Sequence, residues 1–269
     1  MSAELVDAAG VGHVPAPGTP RIVSLVPSIT ELLCDLGLAP ALVGRTGFCT
    51  HPREEVRPVP KVGGTKDVDL AKVRALAPSH VILNVDENRQ EDARALRDFV
   101  PALIVTHPLA PLDNLALYRL MGGIFRRERE AEDLCRRFES AYSALEAAAE
   151  AFSSERVLYL IWKDPWMTVS RDTYVSRMLA LVKWETVPDK VPDRYPEVEL
   201  EDGALAEART VLLSSEPYPF RETHLAQVRA RLPRAERVAL IDGEMTAWYG
   251  SRAIGALPYL ARLRESLAT

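Results

Sequence analysis

The chain has 269 residues, 47% of them hydrophobic and 26% charged, with a net charge of −5. That length can bury one large core or two smaller ones. The mild acidity, with no basic stripe, argues against a nucleic-acid binder, and no apolar run approaches the roughly 20 residues of a membrane span.

The first twenty residues carry no basic start, no apolar core and no lipoprotein-type cysteine, and Gly and Pro crowd residues 10–20. A flexible leader without a secretory signal is expected over 1–20. This places the chain in the cytoplasm as written, or in the periplasm if the N-terminus is incomplete. Cys34, Cys49 and Cys135 make no disulfide framework, which fits a reducing compartment.

Beyond the leader, Arg21–Val26 is an apolar run broken by Pro27, a strand. Ser28-Ile-Thr-Glu31 has capping-box spacing and opens a helix that stops at Gly37. Ala41–Gly44, His80–Val85 and Ala102–Thr106 are the next strands, with helices over Leu70–Leu76 and Gln90–Phe99 between them. Strands alternating with helices imply a parallel sheet. Residues 112–125 form one helix. Residues 128–151 form another, with Ala131, Leu134, Cys135, Phe138, Tyr142, Leu145 and Ala149 near one face and no Pro or Gly to break it. A rod of that length, about 36 Å, suits a spine joining two lobes. The pattern then repeats, with strands at Arg156–Ile161, Thr210–Ser214 and Arg237–Ile241 and helices at Thr173–Leu181, Leu225–Leu232 and Arg252–Ser266. The expected architecture is α/β: an N-terminal lobe over 21–127, the connecting helix over 128–151 and a C-terminal lobe over 152–269.

Ligands of parallel α/β sheets collect beyond the carboxyl ends of the strands. The segments there are rich in polar and aromatic residues: Gly44–Pro52, Asn84–Arg89, Trp162–Met167, Ser214–Phe220 and Asp242–Arg252. Flat apolar faces with a few charged groups suit a large planar or chelated ligand. Candidates are Arg45, Phe48, His51, Glu87, Arg89, Trp162, Trp166, Glu244, Trp248, Tyr249 and Arg252. Arg45, Arg89 and Arg252 would meet its carboxylates or phosphates. Each has a plainer reading, Trp162 and Trp166 as packing between lobes and Asp86–Arg89 as a helix-start charge cluster. Cys49 and His51 form a Cys-x-His pair able to face one ion, with Glu87 or His107 completing it. No GxGxxG, Walker A or HExxH motif is present.

The run Arg21-Ile-Val-Ser-Leu-Val-Pro-Ser-Ile-Thr-Glu-Leu resembles the opening of the substrate-binding proteins of cobalamin and iron-siderophore ABC importers, the helical-backbone metal receptors. The likeness continues through Leu42–Gly44, Pro58–Gly64, Asp69-Leu70 and Ala75–Ile82, and returns weakly at Arg194–Pro196 and Trp248–Arg252. It implies two Rossmann-like lobes with parallel sheets joined by a long helix, a metal chelate such as a corrinoid or iron-siderophore held between the lobes without being transformed, and delivery to an ABC permease if the chain is exported. By position, the ligand-facing aromatics fall at Phe48 and Tyr195, and the C-terminal ligand loop on Glu244–Arg252. Of the two acidic residues that dock a permease, Glu201 fits the second-lobe position, while Ala71 stands at the first. Thr65 stands where cobalamin-binding members place a tryptophan. The rival expectation is an intracellular cofactor-handling enzyme or metal-ion-binding protein using Cys49, His51 and Glu87.

Overall fold

The computed structural model describes residues 5–267, apart from 190, 202, 204 and 206. The chain divides into two compact units. The first comprises the described residues up to Pro108, Leu112–Arg137 and Tyr249–Arg252. The second comprises Leu109–Pro111, Phe138–Trp248 and the described residues from Ala253 onward.

The first unit is built on four short strands, β1 (Ile22–Ser24), β2 (Leu42–Arg45), β3 (His80–Asn84) and β4 (Ala102–Thr106), all parallel, in the order β2-β1-β3-β4. Every residue of β1 and β3 is buried, so these strands read as apolar runs without alternation. Helices α1 (Pro27–Asp35), α2 (Arg53–Val56), α3 (Leu70–Ala75) and α4 (Gln90–Arg97) follow the strands, and α5 (Asp113–Phe125) closes the unit. A core of Val23, Leu25, Val62, Val73, Val81, Leu83, Leu96, Val100 and Val105 packs on one side of the sheet.

Two expectations change here. The capping box at Ser28 does not form: α1 starts at Pro27, whose missing N–H costs nothing in a first turn, and Val26 caps it without a side-chain bond. Glu31 is used elsewhere, as described below. The flexible leader is also replaced by an attached one over its described residues. Ala8 N donates to Val105 O and Ala16 N to Ile124 O, while the buried Asp7 carboxylate accepts from Val105 N. The reason lies in β4, an edge strand with open backbone groups that the segment satisfies.

Helix α6 runs unbroken over Glu128–Ala149, about 33 Å, and the chain passes from the first unit to the second within it. Its apolar stripe is buried as expected at Ala131, Leu134, Cys135, Phe138, Leu145 and Ala149.

The second unit holds β5 (Glu155–Trp162), β6 (Met167–Thr168), β7 (Trp184–Thr186), β8 (Thr210–Ser214) and β9 (Arg237–Ile241). Strands β5, β8 and β9 are parallel neighbours. On the other side of β5, β7 pairs parallel with its start and β6 antiparallel with its end. The antiparallel β6 departs from the all-parallel expectation. Helices α7 (Tyr174–Ala180), α8 (Glu222–Arg231), α9 (Gly243–Ala247) and α10 (Arg252–Ser266) complete the chain. Among the described residues no helix is long and apolar enough to cross a membrane.

Candidate functional site

Each sheet reverses its building direction once. In the first, the chain steps from β1 to β2 on one side and then to β3 on the other, so the loops after β1 and β3 diverge. In the second, β7 lies on one side of β5 and β8 on the other. Loops at such a reversal leave a crevice beyond the carboxyl ends of the strands, the usual seat of a ligand in open α/β sheets.

In the first unit the loop after β3 is fixed by two buried asparagines. Asn84 Oδ1 accepts from the backbone N–H of Asp86 (2.8 Å) and Glu87 (3.3 Å). Asn88 Oδ1 accepts from Asn84 N (2.8 Å), and its Nδ2 donates to Leu25 O (3.2 Å) and Thr65 O (3.0 Å). Asn88 thus ties the ends of β1 and β3 to the loop holding Thr65. The clasp presents the half-buried Glu87, whose Oε1 accepts from the Tyr249 hydroxyl at 2.7 Å. Burial pushes the Glu87 acid up to about 7, against the opposing pull of Tyr249 and Lys66. Burial, reinforced by the Glu87 charge, likewise lifts Tyr249 well above the ordinary phenol.

Tyr249 begins a short segment of the first unit. Gly250 N donates to Asn114 Oδ1 (2.6 Å), and Gly250 O accepts from the Tyr118 hydroxyl (2.8 Å). Gly250 has φ +85°, a conformation that suits glycine, and an added Cβ would lie 3.2 Å from Ser28 O. Arg252 then forms a two-bond fork with Glu31, both contacts 2.8 Å.

In the second unit, Trp162 ends β5 and meets Tyr218 edge-on, ring centroids 5.6 Å apart. Trp162 is the last residue of β5 and Tyr218 lies on the loop after β8, the two neighbouring strands at the reversal. Trp248 is buried, and its indole N–H donates to Glu216 at 2.8 Å. Asp242 caps α9 by accepting from Glu244 N and Met245 N. Tyr159, at the centre of the sheet, shares its hydroxyl with Ser214 (2.9 Å) and Thr246 (2.6 Å). An open depression of about 550 Å³ is lined by Ser215, Glu216, Phe220, Asp242, the half-buried Glu244 and Tyr259.

Several expected contacts fall elsewhere. Arg45 is buried, and its guanidinium donates to Val56 O (2.7 Å) and Thr46 O (2.9 Å), so it braces a loop. Arg252 is committed to Glu31. Of the three arginines expected to meet an anionic ligand, Arg89 alone is exposed. Trp166 is core, stacked on Phe220 with the rings 5° from parallel. Trp248 and Tyr249, expected among the ligand contacts, are buried. Among the described residues the exposed large aromatics are Phe48 (63%), Tyr195 (42%) and Trp162 (39%). Arg194 lies 5.8 Å from the Tyr195 ring. Glu201 is exposed and forks onto Arg231.

The ion site at Cys49 and His51 does not form. Cys49 is fully enclosed, its thiol bonded to the hydroxyls of Thr30 (3.0 Å) and Thr46 (3.2 Å), and burial pushes it above the ordinary thiol range. A neutral, enclosed thiol is neither a nucleophile nor a metal ligand. His51 is half-buried on the surface loop, and among the described residues no group of three His, Cys, Asp or Glu side chains is arranged to hold a metal. The asparagine clasp is what residue-type reasoning missed. Its signal is an asparagine at the last position of an apolar strand with a second one four residues on.

A family model described as periplasmic binding protein matches residues 22–231. The vitamin B12-binding protein of Pectobacterium carotovorum subsp. carotovorum is 22% identical over 199 residues, covering 73% of this chain and 72% of that one. The periplasmic vitamin B12 binding protein BtuF of Vibrio cholerae has the same fold, with a TM-score of 0.82 at 15% identity over 94% of this chain and 100% of that one. The periplasmic heme-binding protein RhuT of Roseiflexus sp. RS-1 superposes with a TM-score of 0.77 at 22% identity, again over 94% and 100%.

Proposed function

This chain belongs to the periplasmic binding protein family, and on that premise we propose that it is the ligand-capturing component of an ABC importer, binding a chelated metal of the corrinoid, porphyrin or siderophore kind. The observation that carries the reading is the make-up of the two strand reversals. One presents a half-buried carboxyl group on a pinned loop, Glu87, and the other presents an exposed indole, Trp162, beside Tyr218. An exposed indole beside a second ring offers a flat apolar face to a planar or chelated ligand, and a carboxyl group on a pinned loop offers a hydrogen bond to a polar rim. Phe48 and Tyr195 add exposed rings, and Arg89 an exposed cation, as further proposed contacts.

The ligand leaves unchanged. The enclosed Cys49 thiol supplies no nucleophile, which weighs against the cofactor-handling enzyme. The similar proteins named above are called periplasmic or vitamin B12-binding, and we place this chain's work in the periplasm, against the cytoplasmic setting suggested by its first twenty residues. There it would hand its ligand to a membrane permease, with Glu201 as the proposed contact on the second unit.

The test is calorimetric titration of the purified protein with cyanocobalamin, hemin and a ferric hydroxamate siderophore. One of the three is expected to bind at one equivalent. Substituting alanine for Trp162 is expected to weaken that binding about tenfold or more, the worth of about 1–3 kcal/mol of buried ring. Equal affinity in Trp162→Ala would remove the indole from the site.

A further inference from the structure

We infer that Glu87 is the proton-carrying hydrogen-bond donor of the first unit's binding edge: its carboxylic acid offers a proton from Oε2 to an oxygen acceptor on the ligand while Tyr249 holds Oε1, so that capture weakens as the acid ionises. This rests on the binding role proposed above and names the regulation of that site.

The position comes first. Glu87 lies in the loop after β3, where the sheet order reverses, and its backbone is pinned by Asn84. The Asn88 clasp ties this loop to the end of β1 and to Thr65, so the carboxyl group is presented on a fixed frame.

The partners come next. Tyr249 donates to Oε1 at 2.7 Å, and no described residue donates to Oε2. Among the described residues, three titratable side chains besides Tyr249 lie around it. Lys66, on the loop before α3, gives its amine to Asp86 O at 2.7 Å and pulls on Glu87 only through space. Asp86, on the same loop as Glu87, opposes ionisation. His107, on the segment after β4, faces Asp86 at 3.4 Å. No guanidinium or ammonium of a described residue touches the Glu87 carboxylate, so no positive charge compensates a full negative charge at close range.

The chemistry follows. Below about pH 7 the group is largely an acid, and burial is the cause. Tyr249, with its own ionisation pushed far up, stays an O–H donor throughout. With Oε1 occupied as acceptor, the acid proton sits on Oε2 and is available to an acceptor. Above that pH the same oxygen is an anionic acceptor that repels ligand oxygens. The ligand chemistry selected is therefore an oxygen acceptor on the rim of the chelate, an amide carbonyl or a carboxylate. No bond is made or broken, and the proton remains on Glu87 or leaves to water.

The experiment measures affinity for cyanocobalamin, whose rim carries amides, and for hemin, whose rim carries carboxylates, from pH 5.5 to 8.5. It uses the full chain as wild type, Glu87→Gln and Tyr249→Phe. Carbon-13 glutamate spectra of the unliganded protein follow the Glu87 carboxyl directly. Wild-type affinity is expected to be level at the acid end and to fall above about pH 7, toward tenfold per unit in the limit of one proton. Glu87→Gln keeps a donor without a titration, and its affinity is expected to be level throughout. Tyr249→Phe removes a bond that favours the carboxylate, so the fall moves to higher pH. Binding of either probe with a level wild-type profile, or a profile that Glu87→Gln leaves unchanged, overturns the inference alone. So does a Glu87 resonance that titrates near the ordinary 4.5. Where neither probe binds, a ferric hydroxamate siderophore, whose rim carries hydroxamate oxygens, is carried through the same pH series and read by the same outcomes. Failure of all three to bind at any pH overturns the reading on which the inference rests.

Discussion

Burial holds the Glu87 acid at about 7, whereas an unfolded chain returns it to about 4.5, so between those values the folded state keeps a proton that the unfolded state releases. The sign is fixed: the group's contribution to stability is fully present below about pH 4.5 and is lost as pH rises through about 7. A full shift corresponds to about 3 kcal/mol, and water around the half-buried group reduces that to the order of 1 kcal/mol. The difference in unfolding free energy between pH 5.5 and pH 8, measured by urea denaturation, is expected to shrink by about that amount in Glu87→Gln. A second residue, Trp248, changes meaning once its burial is known. Its ring is packed and its N–H bonded to Glu216, so Trp248→Ala is expected to cost about 3–5 kcal/mol of stability. Trp248→Phe, which keeps most of the ring, should cost about 1–2 kcal/mol. Chemical denaturation of the two variants measures both, and a loss confined to ligand affinity would contradict the packed placement.

Elements of the second unit are held together through one carboxylate. Glu155, at the start of β5, accepts from Thr210 on β8, from Arg237 on β9 (2.7 Å) and from Arg264 on α10 (2.7 Å). Burial pushes its pKa up, but the bonds from Thr210 and Arg237 and the two positive charges outweigh that and leave it below the ordinary carboxylate. The contribution is therefore present above about pH 4.5 and lost as pH falls through the lowered value. Glu155→Gln would leave the buried Arg264 without its counter-charge and Arg237 with only the more distant Glu236 at 3.6 Å, and it is expected to destabilise the fold by about 3–5 kcal/mol. Thermal melts at pH 7 check the size, and an unchanged melting point would contradict the role of this junction. The elements were legible in the sequence where the chain is most buried. The strands Ala102–Thr106, Thr210–Ser214 and Arg237–Ile241 match to the residue, because unbroken apolar runs bounded by turn residues leave little choice. The helix over Glu128–Ala149 was legible for the same reason at helical spacing. The start of α1 was not, since Pro27 and Ser28 compete for the same turn and the sequence pattern favours neither. The candidate site was legible as segments but not as roles. Whether Arg45, Trp166 or Arg252 faces solvent depends on partners such as Val56, Phe220 and Glu31, which lie far along the chain or on another element.

At the scale of the whole molecule, two units repeat one plan, a mostly parallel sheet whose order reverses at its first strand, and the proposed contacts Glu87 and Trp162 lie at these reversals. Among the described residues Phe48, Trp162 and Tyr195 stay exposed, while most of the other large aromatics are withdrawn into cores. Leaving apolar rings in water serves folding poorly and suits a surface that awaits a ligand. The most direct test is titration of the wild-type chain at pH 6.5 with cyanocobalamin, hemin and a ferric siderophore, following tryptophan fluorescence. Saturable quenching by one of them at one equivalent, with a dissociation constant of about 1 μM or below and reduced in Trp162→Phe, is the predicted result. No saturable response to any of the three at concentrations a hundredfold higher would contradict a role in capturing a chelated metal.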